Sequence, residues 1–266
     1  MPNSASPNRT VLITGGSSGI GFELARLFAR DRYEIILVAK DADRLAEAQS
    51  TLQNEFQVAV QIIALDLSTP SAATALFDRV RRLDRSVDVL VNNAGFGVYG
   101  FFSETDLRAE VDMIAVNVTL LTELTKLFLP AMLRRGQGRI LNVASTAAFQ
   151  PGPLMAVYYA SKAYVLSFSC ALANETQGTG VTVTTLCPGP TRTRFQIRAE
   201  LTETRLFNGV VMSAESVAAC GYRGLQRGTL VVVPGLWNKL LALGSRISPR
   251  RFVVKVARRL QENRRK

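Results

Sequence analysis

The feature that most limits the fold of this chain is a regular alternation of short, continuous apolar runs with segments of helical period. "TVLITG" (10–15), "YEIILVA" (33–39), "VAVQIIAL" (58–65), "VDVLVNNAG" (87–95), "RILNVAS" (139–145), "GVTVTTLCPG" (180–189) and "TLVVVPG" (229–235) read as strands. Helical patterns lie between them. Ile20, Leu24, Leu27 and Phe28 share a face of the first, and others cover 41–56, 69–83, about 106–134, 154–177 and 213–227. A strand that is apolar without alternation is buried on both faces. The pattern therefore predicts an α/β fold, a doubly wound parallel sheet with helices on both faces. Such sheets take ligands at the carboxyl ends of their strands, near the point where strand order reverses. With 266 residues, 47% of them hydrophobic, the chain can build one large core. One domain is expected over 9–235, after a short flexible tail (1–8) and before a basic extension (236–266). The tail lacks a signal-peptide pattern. No uninterrupted apolar stretch reaches about 18 residues, so no membrane-spanning helix is expected.

Residues 14–21, "TGGSSGIG", join the first strand to the first helix. At Gly15, Gly19 and Gly21 no Cβ intervenes, so the backbone can turn tightly and approach a pyrophosphate. The helix start offers N–H donors and partial positive charge, and Ser17 and Ser18 add hydroxyls. In this strand–turn–helix setting the turn points to a dinucleotide. An acid about 20 residues further on would hold the ribose of NAD(H), and Asp41 stands at that distance. The second strand, however, closes on Ala39, and Lys40 follows with an ammonium that would attract the 2′-phosphate of NADP(H). Asp41 reads first as a helix cap. NADP(H) is the preferred expectation and NAD(H) the alternative.

Histidine is absent. That excludes a Ser-His-Asp triad, a Cys-His pair and any histidine metal site, and no metal is expected. Cys170, Cys187 and Cys220 are odd in number and far apart, which fits buried small side chains in a reducing cytoplasm. Proton chemistry must then come from another residue type. "AVYYASKAY" (156–164) offers three tyrosines and one lysine. Tyr158 and Lys162 stand at i, i+4 on one helical face, Tyr159 and Lys162 at i, i+3 are also within reach, and Tyr164 lies elsewhere. Spacing alone does not choose between Tyr158 and Tyr159.

Taken in order, "TGGSSGIG", "NNAG" (92–95), Asn117-Val118, "NVAS" (142–145), "YYASK" (158–162) and "PGPTRT" (188–193) make the chain resemble the short-chain dehydrogenase/reductases over about residues 9–235. The resemblance implies a Rossmann-type domain with about seven parallel strands. It also implies NAD(P)-dependent interconversion of a carbonyl and an alcohol. The family's Tyr-x-x-x-Lys pattern selects Tyr158, giving a catalytic set of Asn117, Ser145, Tyr158 and Lys162. Tyr158 would be the general acid/base. The Lys162 ammonium, with a bound nicotinamide cation, would lower its pKa toward the working pH. Ser145 would hydrogen-bond the substrate oxygen, and Asn117 would bend its helix and hold a water linking Lys162 to solvent. Tyr159 and Tyr164 are left to core or interface packing. The cofactor contacts implied are the glycine turn with Ile20, then Asp66 and Leu67 after the third strand and Asn93, Ala94 and Gly95 after the fourth. Tyr158, Lys162, Pro188, Gly189, Thr191 and Thr193 complete them. On its own residues Asp66 also reads as a helix cap. Homo-oligomers through the helices near 106–134 and 154–177 are implied as well.

Segments 96–102 ("FGVYGFF") and 146–155 ("TAAFQPGPLM"), with Phe195, Phe207 and Met212 in a loop over about 190–212, are where the family lines its substrate cleft. Two readings carry equal weight: walls for a fairly apolar carbonyl or alcohol, or side chains that pack the lid. Net charge is +11, and ten Lys/Arg against Glu262 after residue 238 account for +9 of it, leaving 22 bases and 20 acids before. The basicity thus belongs to the tail, and without interleaved aromatics no nucleic-acid partner is expected. Within 248–266, Phe252, Val253, Val256 and Leu260 share a face. The preferred reading packs that face on the body or on a twin subunit; the other lays it on an anionic membrane surface, peripheral to the cytoplasm. The expected function is NADP(H)-dependent reduction. The alternatives are a dinucleotide-binding scaffold or regulator working through its tail, and a peripheral membrane reductase of 3-oxoacyl or steroid-type groups.

Overall fold

In the computed structural model, residues 9–198, Thr204 and 211–262 are described, so the expectations placed on 1–8, Phe207 and 263–266 lie outside the described residues. Each predicted strand is found: β1 (Thr10–Thr14), β2 (Glu34–Ala39), β3 (Val60–Ala64), β4 (Val87–Asn92), β5 (Gly138–Val143), β6 (Val181–Leu186) and, as the last, β9 (Val231–Val232). They form one sheet in the order β3-β2-β1-β4-β5-β6-β9, and every pairing is parallel. β1 sits between β2 and β4, with Ile13 opposite both Leu37 and Val91. Strand order reverses there, at the start of the glycine turn. Two short strands, β7 (Thr191–Arg192) and β8 (Met212–Ser213), pair separately beside it and were not predicted.

Alternate strand residues serve opposite cores, as the pleat requires. Val11 and Ile13 join Leu24 and Phe28 of α1 (Gly19–Arg30), Leu45 of α2 (Ala42–Phe56) and Val217 of α8 (Ala214–Gln226) on one face. Leu12, Ile36 and Val38 join Leu76 of α3 (Ala72–Arg81), Phe128 of α5 (Leu121–Arg135) and Leu172 of α6 (Ala156–Glu175) on the other. Buried amides tie the sheet to this second layer. Asn92 donates to Asn142 (2.9 Å) and Thr125 (3.1 Å), and Asn142 donates to Ser169 (2.9 Å).

The single helix expected over 106–134 is α4 (Leu107–Ile114), a six-residue π-helical stretch at 115–120 and α5. The whole run Leu107–Arg135 is long and apolar enough, by length and composition alone, to cross a membrane, although charged residues interrupt its apolar stretches. Its apolar content follows from where it packs: Leu120, Leu124, Phe128 and Met132 are buried against the sheet.

Past β9 the chain forms α9 (Leu236–Ile247) and α10 (Arg250–Gln261), while a short α7 (Arg194–Arg198) precedes β8. The extension packs on the body, but not by the face expected. The buried stripe of α10 is Val253, Ala257 and Gln261, whereas Phe252, Val256 and Leu260 are 61%, 39% and 36% exposed. Hydrogen bonding decides the rotation. Gln261, fully buried, donates its side-chain amide to the Tyr159 hydroxyl, and its backbone carbonyl accepts from the Tyr99 hydroxyl at 2.7 Å.

Candidate active site

A cleft of about 950 Å³ runs along the carboxyl ends of the strands. One end is built by the glycine turn. Gly15 and Gly19 adopt φ of +66° and +57°, which a side chain would strain. A Cβ on Gly21 would stand 2.3 Å from the Gly15 carbonyl oxygen, so α1 can lie under the turn only with glycine there. Asn93 holds the turn from the far side, donating its amide to the Thr14 and Gly15 carbonyls at 2.9 and 3.0 Å. The Thr14 hydroxyl in turn accepts from the backbone N–H groups of Asn93 and Ala94, both at 3.1 Å. Thr14 was missed from sequence, although its place at the strand end marked it. Ser18 caps α1 by position but makes no side-chain cap hydrogen bond. Its hydroxyl, with that of Ser17, lines the cleft instead.

Beyond the turn the cleft is lined by two cations. Lys40 pairs with Asp66 at 2.6 Å. That ammonium, with hydrogen bonds from Ser68, holds the Asp66 carboxyl down at about 2. Asp41 is a helix cap: it accepts from the Arg44 N–H at 3.1 Å and pairs with the Arg44 side chain at 3.1 Å. Arg44, one turn into α2, also lines the cleft and went unnoticed in the sequence. A turn free of Cβ atoms, a helix start with two free-standing serines and two nearby cations fit the phosphates of a dinucleotide.

The floor comes from β5 and α6. Ser145 starts a 3₁₀ turn over Thr146–Phe149; its Oγ accepts from the Ala147 N–H at 3.1 Å and donates to the Pro188 carbonyl at 3.4 Å. Tyr158 and Lys162, one helical turn apart, are 9% and 5% exposed. Lys162 donates to the Val143 carbonyl at 3.0 Å, with its Nζ 5.8 Å from the Tyr158 ring centre. Burial pushes the Tyr158 phenol above the ordinary tyrosine range, against the opposing effect of a hydrogen bond with Ser145. The lowering expected from sequence belongs to the state with a nicotinamide cation bound beside Lys162. In this structure desolvation outweighs everything else around the ring. Burial also brings Lys162 down to about 8.

Every expected cofactor and catalytic residue lines this cleft except Gly21 and Asn117. Asn117, 1% exposed, works from behind. Its Oδ1 accepts from the Phe96 N–H (3.1 Å), and its Nδ2 donates to the Phe96 carbonyl (3.0 Å) and to Ser161 (3.1 Å). Gly95 fits beside it only without a Cβ, which would lie 2.9 Å from Asn117 Oδ1 and 3.3 Å from Lys162 Nζ.

Of the expected substrate walls, Phe96, Met155 and Phe195 line the cleft, whereas Phe102 is exposed and Met212 packs with the first core. The larger apolar wall comes from α9 and α10, through Trp237, Leu241, Phe252, Val256 and Leu260. Tyr159 is buried as expected, its ring edge-on to Tyr158 at 6.0 Å. Burial raises it to about 12. Tyr164 is 38% exposed and stacks on Phe168.

A glycine turn at the switch point of a parallel sheet, opening onto Ser145, Tyr158 and Lys162, defines an oxidoreductase that works with a dinucleotide. The chain belongs to the short-chain dehydrogenase family, whose model matches residues 9–204. It is similar to the ketoacyl reductase HetN of Nostoc sp., with 30% identity over 91% of this chain and 85% of that protein. The very-long-chain 3-oxoacyl-CoA reductase of Bos taurus is 32% identical over 66% of this chain and 57% of its own. A short-chain dehydrogenase from Sphingobium yanoikuyae, solved in complex with NADPH, superposes with a TM-score of 0.80 at 34% identity, over 87% of this chain and 92% of that one. The chain is therefore an oxidoreductase acting between alcohol and carbonyl groups with a nicotinamide cofactor.

Proposed function

We propose that the chain is an NADP(H)-dependent reductase of a long, apolar carbonyl substrate, with Tyr158 as the acid. The observation that carries this reading is the continuity of one cleft from Lys40 and Arg44, past the glycine turn, to Ser145 and Tyr158, and on between the apolar stripes of α9 and α10. Two cations beside the ribose end favour a 2′-phosphate, and the similar Sphingobium enzyme holds NADPH. The names of two relatives, a ketoacyl and a very-long-chain 3-oxoacyl-CoA reductase, fit an apolar wall of this size.

The nicotinamide supplies the hydride. The chain supplies position and a proton. Ser145 Oγ donates a hydrogen bond to the carbonyl oxygen and steadies the charge that grows there. Tyr158 gives the same oxygen its proton. The phenol is protonated at neutral pH, the form that reduction needs, and oxidation would start from its phenolate. Lys162, charged below about 8, offsets the negative charge left on Tyr158 after transfer. Asn117 positions this pair from behind through Phe96 and Ser161. Exposed Leu107, Val111 and Ile114 on α4 support self-association through that helix.

The test is NADPH consumption with 3-oxoacyl thioesters and bulky ketones, for wild type and Tyr158→Phe. The expected result is turnover that falls by about 10²–10⁴ in the variant with NADPH binding kept. No turnover with any apolar carbonyl, or an unchanged Tyr158→Phe rate, overturns the reading.

A further inference from the structure

Helix α9 carries a surface that nothing among the described residues covers. Leu236, Leu240, Leu243 and Ile247, spaced i, i+4, i+7 and i+11, form one stripe and are 72%, 50%, 58% and 79% exposed. The opposite stripe, Asn238, Ala242 and Ser245, holds the helix to the body, with Ser245 donating to the Phe149 carbonyl at 3.3 Å. Trp237 and Leu241 stand between the two stripes, line the cleft and are themselves 67% and 60% exposed. Across the opening, Phe252, Val256 and Leu260 of α10 do the same. The outer stripe thus continues into the mouth of the cleft as one apolar surface. An exposed apolar area of this kind marks a binding face.

Charge identifies the partner. Residues 236–262 hold seven Lys/Arg and one acid, Glu262, and Glu262 is already paired with Arg258 at 3.0 Å. Lys239 and Arg246 flank the apolar stripe of α9, and Arg251, Lys255 and Arg259 flank that of α10, all exposed. A second copy meeting this face across a twofold axis would bring like charges together. An anionic bilayer satisfies both components, with apolar side chains in the acyl boundary and cations among the head groups.

We propose that α9 and α10 dock the protein on an anionic lipid bilayer, with the mouth of the cleft facing the membrane. A substrate with an acyl chain would then pass from the bilayer between Trp237 and Phe252 to Ser145 without crossing water. This last step rests on the proposed reductase activity, whereas the docking does not.

The test uses the full chain with vesicles of phosphatidylcholine alone and of phosphatidylcholine with phosphatidylglycerol. Trp237 is the sole tryptophan, so its emission reports the site without labelling. Co-sedimentation with the anionic vesicles only, weakened by salt, and a blue shift of Trp237 are expected. Lys239→Glu with Arg246→Glu should lower partitioning about thirtyfold, a factor of about five for each basic charge lost. Leu236→Glu with Ile247→Glu should abolish it while NADPH binding and turnover of a short water-soluble ketone stay unchanged. No binding to anionic vesicles, or binding that neither pair of changes alters, overturns the proposal. So does a dimer in lipid-free sedimentation that Leu236→Glu with Ile247→Glu converts to monomer, which would give the face to a second copy. Vesicle binding by a chain that reduces no carbonyl would leave the docking standing and remove the reductase reading alone.

Discussion

Replacing Asn117 by alanine tests whether this residue is a buried clamp. It makes three hydrogen bonds at 3.0–3.1 Å, two to the backbone of Phe96 and one to Ser161. At 1% exposure, water cannot replace them. At about 1 kcal/mol net each, Asn117→Ala should cost about 3 kcal/mol, a large part of the total of a typical domain. For a chain of this size that is roughly 6–12 °C in Tm. Urea unfolding followed by circular dichroism should show the midpoint falling with the slope unchanged. Asn117→Asp makes the sharper comparison, since a carboxylate can accept from the Phe96 N–H but has nothing to donate to the Phe96 carbonyl or Ser161. It should be at least as unstable as alanine. A loss below about 1 kcal/mol for alanine, or a milder aspartate, would refute the clamp.

Other outcomes follow from the same geometry. Gly21→Ala drives a Cβ to 2.3 Å from the Gly15 carbonyl, so fluorescence titration should show NADPH affinity down by about tenfold or more, the scale of 1–3 kcal/mol of overpacking strain; unchanged affinity would mean the turn yields freely. Lys40→Ala with Arg44→Ala should weaken NADPH while sparing NADH, and equal loss of both would remove the 2′-phosphate assignment. Reduction should weaken as pH rises through about 8, where Lys162 loses its proton, and a rate flat to two units higher would refute its role. Gln261→Leu breaks the bond to Tyr159, and limited proteolysis should then cut α10 ahead of the sheet; equal protection would place the anchor elsewhere.

The strands were legible because their continuous apolar runs have no other use than burial on both faces, and all seven stand where the alternation put them. The glycine turn was legible because its spacing is local, whereas Ser145 and Tyr158 were singled out through the family pattern, since helical spacing left Tyr158 and Tyr159 both within reach of Lys162. What escaped was settled by contacts distant in sequence. Asn117 was named through the family pattern, but its clamp on Phe96, 21 positions away, was not foreseen. Gln261 counts as polar in any helical pattern, so the tail's apolar face was read one residue out of register; only Tyr159, 102 positions earlier, turns it inward. The charge on Lys162 is visible in sequence, while the depth at which Tyr158 is buried is not.

The position of α9 and α10 at one mouth of the cleft separates the apolar wall from the sheet along the chain. The residues that would hold the nucleotide, from Gly15 to Thr193, all precede Trp237 and Phe252 in the chain. The outer apolar wall thus comes from a segment that follows the last strand of the sheet. Changes confined to residues after β9 would alter the apolar wall of the cleft without touching the sheet that carries the glycine turn.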